Sequence, residues 1–315
     1  MCTRFAFTAR FLAAVWLAAA TLAAAPPAQA ASLEVAATLP ELALLTEAVG
    51  GPRVAVTALA RGDEDPHTLA AKPSHSRRLL KADLIVYNGL QLEVGWLPLL
   101  LQGARNPALL AGGKGNLDLG ATIEPLEVPT GAVDRSQGDV HPEGNPHYTV
   151  DPGLYPELAD AIAERLARLD PAGAAEYRAR AAAFRADWEP RVVAWQARLA
   201  PAAGKRLVTY HKQWEYFAQR FGLRIVDYIE DRPGIPPSPR HVGELVDRIE
   251  AGGVALVVFA DINHPEVPEK LAARAGCRTL ALPQSPGSRD GTATLVTWFD
   301  TLVGALAGAL SGTER

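Results

Sequence analysis

The sequence predicts an α/β fold of two lobes, each built on a mostly parallel sheet flanked by helices and joined by a long helix. Three observations carry this. Short aliphatic and β-branched runs alternate with segments of helical periodicity from Leu33 to Leu310, the pattern of parallel strands linked by helical crossovers. About 285 residues follow the first thirty, more than one hydrophobic core ordinarily holds. An alanine- and arginine-rich stretch separates two blocks of that alternation, which divides the chain into residues 31–170, a linker helix at 171–200, and 201–315.

In the first block, Leu33–Thr38 reads as a strand, Pro40–Val49 as a helix and Arg53–Leu59 as a second strand. A helix opened by proline fits Pro73–Lys81, then a buried strand Leu84–Asn88 and a helix through Trp96–Gln102. Residues 112–144, rich in Gly, Pro and Asp, read as irregular loop with at most one short strand. Asp151-Pro152 and Asp170-Pro171 each open a helix. The second carries Ala174, Tyr177, Ala181, Phe184 and Trp188 at helical spacing and runs to about Leu199, with Pro190 expected to kink or interrupt it.

The second block repeats the theme. Strands are expected at Arg206–Tyr210, Arg224–Ile229, Val254–Ala260 and Arg278–Leu282, and helices at His211–Phe221, Pro239–Ala251, Pro265–Ala275 and Thr294–Leu310. Ligands of open parallel sheets bind beyond the carboxyl ends of the strands. His211, Asp261 and Gln284 stand at such ends.

The chain opens with Arg4 and Arg10, an apolar run from Phe11 to about Ala25, and Ala28-Gln29-Ala30, which reads as a secretory signal peptide over residues 1–30 and places the mature protein in the periplasm. Cys2 precedes the apolar run, so no lipid anchor is expected. Cys277 is then the one cysteine of the mature chain, which excludes an internal disulfide and a cysteine-based metal site. A net charge of -4 with interspersed signs leaves no basic footprint for nucleic acid.

Three histidines occupy three separate contexts: His67 in Asp65-Pro66-His67, His147 in Gly144-Asn145-Pro146-His147, and His211 in Thr209-Tyr210-His211. Proline fixes its own φ, so His67 and His147 project from stiffened loops with little freedom to lose on binding. Singly, each fits an ordinary loop or core histidine equally well. Together they read as three ligands of one transition-metal site.

With these residues placed, the chain resembles the TroA-like family of zinc- and manganese-specific solute-binding proteins of ABC importers. The likeness lies in Asp65-Pro66-His67 with Pro73-Ser74, Asn88-Gly89-Leu90 with Leu92-Glu93 and Trp96, Gly144-Asn145-Pro146-His147 with Asp151-Pro152, the Asp170-Pro171 helix, Tyr210-His211 with Tyr216-Phe217, and Pro236-Pro237-Ser238-Pro239. It covers nearly the whole mature chain. It implies a cleft between two lobes, His67 and His147 as ligands from the first and His211 from the second, and a non-enzymatic, monomeric carrier that delivers metal to an ABC-transporter permease. The family's usual fourth ligand is an aspartate after the last strand. Here that stretch reads Leu282-Pro283-Gln284-Ser285 and offers no carboxylate.

Three imidazoles favour Zn²⁺ over the harder Mn²⁺. Neutral ligands leave the ion's charge uncompensated, so a carboxylate is expected nearby. Asp261 is the first choice, with capping of the following helix as its alternative role; Glu230 is the second. Glu215, four residues after His211 on the expected helix, suits orientation better than ligation. A water is the remaining option. His141 is a further ligand or capture residue, and His264 follows Asp261 toward the cleft. His75 and His241, in first turns of helices, are expected to be exposed, and Trp96, Trp188, Trp195, Trp214 and Trp298 to pack cores. The rival readings are a periplasmic zinc hydrolase with a metal-bound water and a metallochaperone, but no H-E-x-x-H helix accompanies the histidines.

Overall fold

The computed structural model describes residues 32–131, 133 and 137–311; the expected signal peptide lies outside them. In the first lobe, β1 (Leu33–Ala37), β2 (Val54–Ala58), β3 (Leu84–Tyr87) and β4 (Asn116–Asp118) form a parallel sheet in the order β2-β1-β3-β4. In the second, β5 (Arg206–Thr209), β6 (Arg224–Tyr228), β7 (Val254–Ala260) and β8 (Arg278–Leu282) repeat that arrangement as β6-β5-β7-β8, again parallel. The helices are α1 (Pro40–Gly50), α2 (Pro73–Lys81), α3 (Leu97–Ala104), α4 (Tyr155–Leu169), α5 (Ala174–Leu199), α6 (Glu215–Phe221), α7 (Pro239–Gly252), α8 (Glu266–Ala275) and α9 (Leu295–Leu310).

Alternation along the strands sorts the core. Successive strand side chains point to opposite faces, and Val35, Ala37, Leu84 and Val86 join one buried cluster while Ala36 and Ile85 join another beneath α2 and α3. The second sheet does the same: Leu207, Leu256 and Val258 enter the first cluster, and Val208 and Val257 pack under α7 and α8. That first cluster is continuous across both lobes. It includes Trp188 and Trp195 of α5, Tyr155 of α4 and Trp298 and Phe299 of α9. All five tryptophans expected to pack cores are buried. The indoles of Trp188, Trp195 and Trp298 donate to Pro152 O, Asp300 Oδ1 and Pro283 O, so none carries an unmet buried N–H.

Local differences from expectation have simple causes. Asp151 and Asp170 cap short 3-10 turns, accepting from Gly153 N and Gly173 N, and α4 and α5 begin only after those turns. The helix α5 continues through Pro190 without interruption, although proline leaves the carbonyl four residues back without its donor. His211 is not helical: α6 begins four residues later, so Glu215 and His211 do not share a helix face. His75 is 3 % exposed, not exposed as expected, because α2 packs against α3. His241 is half-buried, its ring bonded to Tyr228 O.

Candidate metal centre

His67 closes the loop after β2. That loop first prolongs the sheet, with Leu59 N and Ala60 N donating to Ala37 O and Thr38 O. Trp96 Nε1 then grips Pro66 O at 2.8 Å, the residue before the histidine. Asp65 folds back over it: Oδ1 accepts from His67 N at 2.9 Å and lies 3.1 Å from His67 Nδ1, while Oδ2 accepts from Thr68 Oγ1. Burial opposes the charge on Asp65, but the bonds from His67 and Thr68 outweigh it and bring its carboxyl down to about 2.

His147 sits at the end of the long loop, 8 % exposed, leading into a 3-10 turn at Tyr148–Val150. Asn88 Nδ2 holds Pro146 O at 2.9 Å, and Asn145 Oδ1 accepts from His147 N at 3.0 Å. The Asn145 amide also donates to Lys212 O and to Glu215 Oε2, tying this loop to the segment after His211. Burial, reinforced by the neighbouring His67 and His211, holds His147 well below its ordinary pKa and therefore neutral.

His211 follows β5 in a turn, its carbonyl accepting from Thr209 Oγ1 and Gln213 N. Its Nδ1 meets Glu230 Oε2 at 2.8 Å. A carboxylate on the far nitrogen fixes the tautomer and turns Nε2 outward as a donor pair, the arrangement that orients metal-binding histidines. Asp65 gives His67 the same support.

The three rings converge. Centroids are 5.1 Å apart for His67 and His147, 5.4 Å for His67 and His211, and 5.1 Å for His147 and His211. Ligand atoms of all three lie within 4.8 Å of one another, and the Nε2 atoms of His147 and His211 are 3.2 Å apart. Two imidazole nitrogens on tetrahedral zinc at ~2.0 Å stand roughly 3.3 Å from each other. His67 Nε2 is buried with no hydrogen-bond partner, an arrangement that a bound cation would relieve.

The other candidates are placed differently. Asp261 receives Gln284 N, Ser288 Oγ and Arg289 Nε, so its carboxylate is saturated away from the histidines. Gln284 lines a cavity of about 70 Å³ beside the three rings, with Oε1 taken by Gln213 Nε2. Glu230 touches His211 from behind. Glu215, lifted to about 7 by burial and by the charge of Glu127, bonds Asn145 and not a histidine. The His141 ring lies 5.5 Å from that of His67, tilted by 36°, while His264 is exposed. Asp65 and Asn145, quoted in the sequence only as parts of motifs, are the supporting residues that motif reading missed; a short acid or amide immediately before a Pro-His pair is the local signal that would have found both.

Residues 35–309 match the family model described as zinc-uptake complex component A, periplasmic. The zinc-binding lipoprotein AdcA of Streptococcus pneumoniae is 24 % identical over 242 residues, 75 % of this chain and 47 % of AdcA, so the chain spans about half that relative's length. The high-affinity zinc uptake system protein ZnuA of Paracoccus denitrificans is 28 % identical over 270 residues, covering 78 % of this chain and 81 % of that one. A crystal structure of ZnuA superposes with a TM-score of 0.73 at 26 % identity, over 89 % of this chain and 99 % of the other.

Proposed function

The chain belongs to the periplasmic zinc-uptake component A family, and from that premise we propose that it is an extracytoplasmic solute-binding protein which captures Zn²⁺ and delivers it to the permease of an ABC importer. Residues 31–170 and 201–315 form the two lobes and 171–200 the linker, with the ion held by His67, His147 and His211 in the cleft between them. The observation that carries this reading is the convergence of three imidazoles, two of them 3.2 Å apart at Nε2. Carboxylates behind His67 and His211 support it, because they pre-orient the rings and supply negative charge without occupying the ion.

A neutral nitrogen set suits Zn²⁺ and makes Mn²⁺ the weaker cargo, since the harder ion prefers carboxylate and water. The chain acts without turnover: the groups nearest the histidines, Asp65 and Glu230, are bound to ring nitrogens and none stands free as a general base.

Equilibrium competition against a chromophoric chelator tests the proposal. The protein binds one Zn²⁺, a His67→Ala, His147→Ala double variant loses that affinity, and binding weakens as acid protonates the ligands. Undiminished zinc affinity in the double variant rules the site out. Esterase or peptidase turnover that disappears in His211→Ala would favour the hydrolase reading instead.

A further inference from the structure

We infer that His141 supplies a fourth nitrogen to the ion held by His67, His147 and His211, making a four-imidazole site. This rests on the reading of those three as ligands.

Tetrahedral zinc needs a fourth donor, and the oxygens at hand have other partners. Asp261 holds three donors, Gln284 Oε1 holds Gln213, Asp65 Oδ1 faces the His67 ring, and Glu230 Oε2 takes both His211 Nδ1 and Gly234 N. His141 differs from all of them. Its ring lies 5.5 Å from that of His67, close to the 5.1–5.4 Å found among the three, and its Nε2 is buried with no partner, as is Nε2 of His67. Two neighbouring rings each presenting a buried, unmet nitrogen are an unfavourable pairing that a shared cation removes.

The loop that carries His141 is fixed in place. Asp139 N donates to Pro233 O at 2.8 Å, which clamps the loop onto the turn just beyond Glu230. Gly138 (φ +84°) and Gly234 (φ +73°) meet there so closely that a Cβ would fall 2.2 Å from Pro233 O at the first and 2.0 Å from Asp139 Oδ2 at the second. On the other side Gly144 N donates to His141 O, closing the turn that returns the chain to His147. His141 thus reaches the site from a segment that belongs to the first lobe by sequence and is held by the second. His141 stands beside His67 but outside the group of three whose ligand atoms lie within 4.8 Å of one another, so its ring must move inward to complete four nitrogens, and Gln284 then needs no carboxylate.

The test is X-ray absorption at the zinc edge on the intact mature protein, loaded with one equivalent of Zn²⁺. Imidazole outer-shell scattering fits four rings in the wild type and three in His141→Ala, and zinc affinity falls at least tenfold while the Mn²⁺/Zn²⁺ affinity ratio rises. Gly138→Ala, which keeps every imidazole but displaces the loop, also reduces the count to three. Three rings in wild type and His141→Ala alike, with equal affinity, overturns the proposal. His147→Ala separates the two ideas: if it abolishes binding while His141→Ala changes nothing, the three-histidine reading stands and this one falls; if it leaves scattering and affinity intact, both fall.

Discussion

Glu93 shows how a single buried acid supports the site from a distance. It is 3 % exposed and accepts from Thr38 Oγ1 at 2.7 Å, Asn88 N at 2.7 Å and Gly89 N at 3.1 Å, which fixes the turn whose Asn88 side chain holds Pro146 beside His147. Burial lifts its carboxyl to about 7 from an ordinary 4.5, and the three donors only partly offset this. The sign follows from linkage: between pH 4.5 and 7 the folded state keeps a proton that the unfolded chain has lost, so this contribution is present below that window and lost as pH rises through it. The amount is about 3 kcal/mol. Urea denaturation of the metal-free protein should lose roughly that much between pH 5 and 8 relative to Glu93→Gln, in which position 93 no longer titrates; parallel profiles would refute it. Glu230→Gln should weaken zinc binding 10- to 100-fold, the usual effect of removing a carboxylate behind a ligating histidine. Gln284→Asp should raise Mn²⁺ affinity relative to Zn²⁺ by adding a hard ligand beside the rings; an unchanged ratio means the side chain at 284 does not reach the ion.

Among the elements, α5 carries its own anomaly. Pro190 is exposed in the interior of a 26-residue helix. Alanine there restores a backbone bond at no cost in packing, so Pro190→Ala should stabilise the protein by up to about 3 kcal/mol, seen as a raised melting temperature. Most elements were readable because strand alternation and helix periodicity are local: Pro73–Lys81, Val254–Ala260 and Arg278–Leu282 match their expected bounds. The helix expected at His211 failed for a definite reason. His211 O accepts from Thr209 Oγ1 and Gln213 N, which closes a turn beyond the strand, and the helix begins only at Glu215. Convergence of His67, His147 and His211 was legible from their Pro-His and strand-end contexts. Saturation of Asp261 by Ser288 and Arg289, and burial of His75, depend on contacts between distant segments and left no local trace.

At the scale of the molecule, length suggested separate cores, yet the largest cluster runs unbroken from Val35 to Leu310 through α4, α5 and α9. The described residues accordingly form one compact unit. Thermal unfolding of the metal-free protein should follow one transition by near- and far-UV circular dichroism, with two resolved steps counting against a shared core. The lobes also touch at Gly62, where a Cβ would lie 2.4 Å from Pro286 O and 2.6 Å from Ser288 N. Gly62→Val should therefore wedge the cleft and speed zinc dissociation measured by stopped flow, while leaving the three histidines intact.

The buried contact of Glu41 with Ser285 and Thr149, at 2.5 and 3.0 Å, has one more effect. It borders a cavity of only about 30 Å³ on one side of His147, whereas on the other side a cavity of about 410 Å³ lies between the loops of His141 and Glu230. The back wall is bolted and the front is a vestibule. On the proposed reading, an ion that uses the widest of the three cavities meeting His147 both enters and leaves between the loops of His141 and Glu230, so a ligand that plugs that space slows loading and release together.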